Sequence, residues 1–192
     1  MHICVYCASS TRIDPGYLRL GEQFGRQLAA RGHTLVYGGG SIGIMGAVAR
    51  AVHEAKGRVI GVVPDFMRGK EIVYERSDEL IVTDTMRQRK QIMEERAEAF
   101  VVLPGGIGTL EEFFETLTNG LLRQHDKPIV LLNHEGFYDP LLTLFDHMEQ
   151  HGFTRPRLRR DYRVVLTTEA VFEALAPWEA QTAAPMRERG ET

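Results

Sequence analysis

Apolar residues along this 192-residue chain fall into short unbroken runs, separated by longer stretches in which they recur every three or four positions. His2 to Cys7 is the first run, a strand, with Ala8-Ser9-Ser10 as its exit loop. Asp14-Pro15 then opens a helix to about Arg31, with Tyr17, Leu20, Phe24 and Leu28 at helical spacing and Gly32 as its stop. Thr34 to Tyr37 is a second strand, followed by a glycine-rich turn (Gly38 to Gly43) and a helix from about Ile44 to Lys56. Arg58 to Val63 is a third strand closed by Pro64, Asp65 to Ser77 is polar and irregular, and Glu79 to Thr83 is another short strand. A helix from Met86, a strand over Ala99 to Leu103 and a helix from Thr109 to about Arg123 come next. Pro128 to Asn133, a helix from Asp139-Pro140 to His151, a strand over Val164 to Leu166 and a short helix from Glu169 to Leu175 complete the series.

Strand and helix alternate throughout, and the strands are continuous and β-branched rather than alternating with polar residues. Strands of that kind are buried on both faces. The expected class is therefore α/β, a Rossmann-like, doubly wound, mostly parallel sheet with helices on both faces. Ligands of such sheets bind at the carboxyl ends of the strands. Residues 1–176 are expected to form a single nucleotide-binding domain, and 177–192, which lack apolar periodicity, a mobile tail.

Composition narrows the function classes. The chain is 43% hydrophobic and 26% charged with a formal net charge of −3. That balance carries no electrostatic footprint for nucleic acid or a membrane surface. The N-terminus has no basic segment before a long apolar run, and no stretch is long enough to span a bilayer, so a cytoplasmic location is expected. Cys4 and Cys7 form a C-x-x-C on a strand, where residues three apart face opposite ways. They are expected to be two small buried thiols rather than a redox or zinc pair.

Two glycine loops follow strands. Gly38, Gly40 and Gly43 match G-x-G-x-x-G, but the acidic residue wanted some 20 positions on is represented only by Asp65, beyond Pro64. That argues against bound NAD or FAD; Ser9, Gly38, Gly39 and Gly40 are either secondary nucleotide contacts or parts of tight turns. The second loop, Pro104 to Gly108, opens the helix that carries Thr109, Glu111 and Glu112. A helix start presents N–H groups without intrahelical partners and the positive end of the dipole, which suits phosphate. Gly105, Gly106 and Gly108 leave no Cβ to block an anion, and Thr109 adds a hydroxyl. T-x-x-E is also a capping box, with Thr109 as cap and Glu112 reaching back. Glu111 and Glu112 lie about 100° apart around the helix, so only one faces the loop readily. A carboxylate beside a phosphate site repels it, which suggests work on a developing cation. On the preceding helix Met86, Lys90, Met93 and Ala97 form a stripe continuing to Phe100, flanked by Arg89. Two cations there either snorkel to water or meet an anion.

The pair M-x-x-R-K (Met86, Arg89, Lys90) and P-G-G-x-G-T-x-x-E (Pro104 to Glu112), at this separation, resembles the LOG family of cytokinin-activating phosphoribohydrolases, long labelled possible lysine decarboxylases. The likeness extends from about Ile3 to Val165 and includes the VYGGGSIGIMG loop and the DKPIVLLN strand. It implies cleavage of the N-glycosidic bond of a nucleoside 5′-monophosphate to an adenine-type base and ribose 5-phosphate, with Arg89 and Glu112 as the catalytic pair. Substrate contacts are implied at Glu71, Met86, Arg89 and Lys90, at Gly105, Gly106, Ile107, Gly108, Thr109, Leu110, Glu111 and Glu112, and at Thr118. A homodimer with the site near the subunit boundary is implied too. In that chemistry Glu112 stabilises an oxocarbenium-like ribosyl group or orients water, and the loop clamps the 5′-phosphate. Whether Arg89 or Lys90 takes the phosphate stays open. No metal or cofactor is expected: there is no His/Cys/Asp cluster, and none of Lys56, Lys70, Lys90 and Lys127 has the setting of a pyridoxal phosphate lysine. The rival readings are a non-catalytic nucleotide-binding or sensing module on the same fold, and an oxidoreductase using the Gly38 loop.

Overall fold

The structure, a computed structural model, describes residues 1–68, 73–155 and 158–183, with side chains through 180. Seven strands form one all-parallel sheet in the order β4-β3-β2-β1-β5-β6-β7. They are β1 (His2–Tyr6), β2 (Thr34–Tyr37), β3 (Arg58–Pro64), β4 (Glu79–Thr83), β5 (Ala99–Val102), β6 (Ile129–Leu132) and β7 (Arg163–Val165). The helices are α1 (Pro15–Ala30), α2 (Gly43–Glu54), the four-residue α3 (Asp65–Arg68), α4 (Met86–Arg96), α5 (Ile107–Leu121), α6 (Asp139–Gln150) and α7 (Thr168–Ala183). The α/β class and the doubly wound parallel sheet are as the apolar runs require.

Period-two alternation along buried strands feeds two cores. Ile3, Val5 and Cys7 point with Leu35, Tyr37 and Val101 toward α1, α2 and α7. Cys4 and Tyr6 point with Val36, Ile60, Phe100 and Val102 to the other face, where α4, α5 and α6 supply Met93, Phe113, Leu117 and Phe145. The two cysteines are thus free, buried and on opposite faces. Burial pushes both thiols well above their ordinary pKa, so neither is a ready nucleophile.

Local chemistry sets the helix starts. Asp14 caps α1 by accepting from Gly16 N–H at 2.6 Å, with Pro15 in the first turn. Thr85 caps α4 by accepting from Gln88 N–H at 3.2 Å. At the far end, α7 runs through Pro177 to Ala183, past Leu175, where periodicity alone ends it. A proline inside a helix removes one bond and usually breaks it. Here Val171, Phe172 and Leu175 anchor the helix before that point, and Glu179 beyond it lies 3.7 Å from the buried His33.

The strand order fixes where a ligand fits. The chain winds outward from β1 through β2 and β3 to β4, then returns to the centre and winds the other way through β5, β6 and β7. The loops leaving β1 and β5 therefore diverge to opposite faces and leave a crevice between them. Those are the Ala8-Ser9-Ser10 loop and the Pro104 to Gly106 loop. They are held together at their base by a bond from Ala8 N–H to Pro104 C=O at 3.2 Å. Among the described residues no helix is long and apolar enough to cross a membrane.

Candidate active site

On one side of the crevice α4 and α5 bring together a buried ion pair. Arg89 and Glu112 are 5% and 6% exposed, and the Arg89 Nη1 donates to Glu112 Oε1 at 2.8 Å. The Arg89 Nε donates to Val62 C=O at 3.1 Å, which fixes the guanidinium against the end of β3. Gly38 completes the socket: a Cβ there would lie 1.9 Å from Arg89 Nη2. Two of the five guanidinium N–H donors are thereby engaged among the described residues. Burial pushes the Glu112 carboxyl above the ordinary glutamate range, and the neighbouring Arg89 charge opposes that rise. Taking two charges out of water costs several kcal/mol per ion, and an apolar pair of similar size is often as stable. Such a pair at the carboxyl end of a parallel sheet makes this crevice the candidate site.

The sequence stripe placed Lys90 inward and Arg89 beside it; the structure reverses this. Arg89 and Met93 are the buried residues of α4. Lys90 turns along the helix flank to Glu111, with which it makes a short ion pair, and to Glu115 at 2.6 Å. Burial alone would lower its pKa, but the two carboxylates raise it. The reason is register: α4 packs against both β3 and α5, and only the position of residue 89 reaches Val62 and Glu112 together.

The capping-box reading of Thr109 and Glu112 also fails. The helix α5 starts two residues earlier than expected, at Ile107, with Gly106 as its N-cap and no side-chain cap bond. Thr109 lies buried in the first turn, and Gly105 makes room for it, since a Cβ at 105 would lie 2.1 Å from Thr109 Oγ1. Glu112 spends its carboxylate on Arg89, leaving the first N–H groups of α5 without a side-chain cap. A Cβ at Gly106 or Gly108 would meet nothing within 4 Å, and neither residue has a positive φ. Neither packing nor backbone demands glycine at these two positions; the room they leave opens on the cleft.

That cleft, of about 290 Å³, is lined by Ser9, Met86, Arg89, Gly106, Gly108, Thr109, Glu111 and Glu112 from the sequence-selected residues. It is also lined by Cys7, Ala8, Ser10, Met45 and Met67, which the sequence reading missed. The small loop after β1 was a usable signal for Ala8 and Ser10; nothing in the pattern marks Met45 or Met67. Gly105 sits beneath Thr109, and Leu110 packs half-buried on the α4–α5 core. Ile107 projects outward at 83% exposure, and Thr118 is exposed farther along α5. Lys90, Ile107, Leu110 and Thr118 are not in the cleft wall, and Glu71 lies outside the described residues.

The other glycine loop is filled by the protein itself. Gly38 seats Arg89, Gly39 C=O accepts from Tyr74 N–H at 2.9 Å, and Gly40 bridges to Val73. At the start of α2, Met45 N–H donates to Ala8 C=O at 3.1 Å, and Gly43 (φ 61°) packs against the Ala8 to Ser10 backbone. That helix start faces a carbonyl, not an open anion site. No group of three or more His, Cys, Asp or Glu side chains among the described residues could hold a metal.

Comparison with known proteins shows the family. Residues 45–175 match the profile of the family described as "possible lysine decarboxylase". A cytokinin riboside 5′-monophosphate phosphoribohydrolase of Mycobacterium tuberculosis is 43% identical over 175 residues, 91% of this chain and 93% of that protein. A probable enzyme of the same name from Oryza sativa subsp. japonica is 46% identical over 158 residues, 82% of this chain and 64% of its own length. Among solved structures, the molybdenum cofactor binding protein of Rippkaea orientalis superposes with a TM-score of 0.71 at 22% identity, covering 93% of this chain and 96% of that one. That last likeness shows the shared fold. With the family profile spanning most of the domain and relatives above 40% identity along nearly all of it, the chain belongs to the LOG family of phosphoribohydrolases.

Proposed function

We propose that this chain hydrolyses the N-glycosidic bond of a nucleoside 5′-monophosphate, giving a free adenine-type base and ribose 5-phosphate. The observation that carries the reading is the buried Arg89–Glu112 pair in a cleft that the open, glycine-rich start of α5 also lines. The names of the M. tuberculosis and rice relatives support the same substrate class.

In this reading the 5′-phosphate docks on the first N–H groups of α5 at Gly106 to Thr109, and its binding energy positions the ribose. Glu112, one turn further along the same helix, then faces the anomeric carbon. As the C1′–N9 bond breaks, its carboxylate offsets the growing oxocarbenium charge and takes a proton from the attacking water. The water oxygen bonds to C1′, the departing base carries away the bonding pair and takes a proton from solvent, and Glu112 returns the proton it took to solvent, so that one water is consumed. Arg89 keeps Glu112 ionised and oriented, and its uncommitted donors are available to substrate oxygens. Met86, Gly105, Glu111, the more distant Lys90, Ile107, Leu110 and Thr118, and Glu71, which is outside the described residues, complete the contact set that family membership suggests. No metal or cofactor enters this scheme.

The decisive variant is Glu112→Gln. It is expected to bind AMP while adenine release falls by roughly 100-fold or more. Turnover at the wild-type rate would reduce Glu112 to a structural residue; binding without turnover in the wild type as well would leave a non-catalytic nucleotide module.

The assembly we propose is a homodimer. Ile107 and Phe114 lie exposed on the outer face of α5, with Leu122 exposed just past its end, although the inner face of α5 is fully packed. Apolar residues grouped on one helix face suit burial against a second copy. Ile107 and Thr118, outside the cleft wall of one protomer, then lie close to a subunit boundary. We place the reaction in the cytoplasm, in keeping with two free thiols.

A further inference from the structure

A chain of three hydrogen-bonded side chains lies behind the first glycine loop, and the proposed reaction gives it no work. His53, in the last turn of α2, stands between Tyr74 and Asp78. Its Nδ1 is 2.9 Å from the Tyr74 hydroxyl and its Nε2 is 2.9 Å from Asp78 Oδ2. Asp78 Oδ2 also accepts from Val59 N–H at 2.8 Å. Burial alone would raise the Asp78 pKa, but the bonds from Val59 and His53 bring it below the ordinary aspartate value. An ionised carboxylate only accepts, so Nε2 carries a proton, and the Nδ1 of the neutral ring accepts from the Tyr74 hydroxyl. Tyr74 is 7% exposed and the His53 side chain 15%, so water is a poor substitute for either partner.

The backbone of the same segment holds the loop that seats Arg89. Tyr74 N–H donates to Gly39 C=O, and Val73 forms an antiparallel bridge with Gly40. Gly38, the next residue along, leaves the space that the Arg89 guanidinium fills. Residues 73–78 are therefore fastened at three places: to the loop at Gly39 and Gly40, to α2 at His53, and to β3 at Val59. Ser77 keeps the turn between them closed, its N–H and its hydroxyl both donating to Tyr74 C=O. A shift of Tyr74 would carry Gly39 with it, and with Gly39 the wall of the Arg89 socket.

We infer that the Tyr74–His53–Asp78 chain is a latch on the Gly38–Gly40 loop, and that Tyr74 and His53 are positioning residues for Arg89. The inference rests on the proposed role of the Arg89–Glu112 pair in hydrolysis. The two arms of His53 do different work. The Tyr74 arm sets the loop and through it Arg89; the Asp78 arm ties α2 to β3.

The experiment separates the arms. Tyr74→Phe removes the hydroxyl alone, and His53→Ala removes both bonds. His53→Asn keeps an acceptor near the Nδ1 position but cannot reach Asp78. Adenine release from AMP is followed by chromatography and stability by thermal melts. Hydrogen exchange of the Arg89 Nε–H, which is buried on Val62 C=O, is followed by NMR against the backbone amides of β5. Tyr74→Phe and His53→Ala should lower kcat about tenfold with KM for AMP changed less than about twofold, because the proposed phosphate site on α5 is untouched. His53→Asn should recover most of that kcat although it melts nearly as early as His53→Ala. Exchange at Arg89 Nε should quicken about tenfold in Tyr74→Phe relative to β5, the scale of one lost buried bond. An unchanged kcat in Tyr74→Phe overturns the latch, as does a kcat that simply follows the melting temperature through all three variants. If the wild type releases no base from AMP, the hydrolase reading fails by itself. The latch is then judged by exchange alone: faster exchange in Tyr74→Phe upholds it, and the wild-type rate overturns it.

Discussion

Two glycine-rich loops of this protein look alike in composition and do opposite work. In the loop after β2, the missing side chains are replaced by protein. Gly38 gives its space to the Arg89 guanidinium, and Gly43 to the backbone of Ala8 to Ser10. In the loop after β5, only Gly105 is filled in this way, by Thr109, whereas Gly106 and Gly108 border open space. The difference teaches that a glycine is evidence for a ligand only when packing and backbone angles do not already require it. The first loop seats Arg89 of the buried ion pair; the second leaves open space beside that pair.

Substitutions can break this comparison. The largest effect is expected for Gly38→Ala. Its Cβ would overlap a guanidinium pinned to Val62 and Glu112, so kcat/KM should fall on the order of 100-fold, about 2.7 kcal/mol. An alanine variant with normal kinetics would show that Arg89 does not need its socket. Gly43→Ala should act on stability instead, because its Cβ would meet backbone atoms 2.7–2.8 Å away at a positive φ. A loss of about 2–3 kcal/mol in denaturant unfolding is expected, from overpacking plus backbone strain. Gly108→Ala should have the reverse signature. Within α5 an alanine is better than glycine by about 0.5–1 kcal/mol, so the melting temperature holds or rises while KM for AMP increases about tenfold. Stability lost at 108, or KM unchanged, would erase the distinction between the loops.

The smallest effect is a pH shift that sharpens the role of the second loop's helix. Burial raises the Glu112 pKa, and in the proposed mechanism the carboxylate is the active form. Activity should therefore be lost as pH falls through this raised value, with an acid limb above the ordinary glutamate range. Stability runs in the opposite sense: the folded state holds the proton more tightly than the unfolded chain. Its contribution is full below the unfolded pKa and declines as pH rises through the folded one. Stability curves of wild type and Glu112→Gln should converge at the acid end of that window and diverge above it.

Much of the frame was legible because buried parallel strands announce themselves as apolar runs. Thr34–Tyr37 and Glu79–Thr83 fall on the residues the pattern selects. Helix phase was not legible: on α4 the apolar stripe pointed to Lys90, yet hydrogen bonding to Val62 and Glu112 turned Arg89 inward. The start of α5 was misread for a related reason. T-x-x-E is a sound local cap, but a buried partner 23 residues away outcompeted it. The helix past Pro177 depends on contacts with α1 and His33, which no local rule contains. The joint significance of Arg89 and Glu112 came from family resemblance. Spacing alone supplied a cation beside a stripe and a carboxylate on a helix.

The direct bond between Arg89 and Glu112 has a bearing on turnover. In the proposed reaction, an unmatched Arg89 in so buried a place would hold the phosphate-bearing product tightly and release it slowly. Because the two side chains satisfy each other, in the proposed reaction the sugar would leave a matched pair behind it. On that reading the site resets itself between cycles, at the cost of some grip on each incoming molecule.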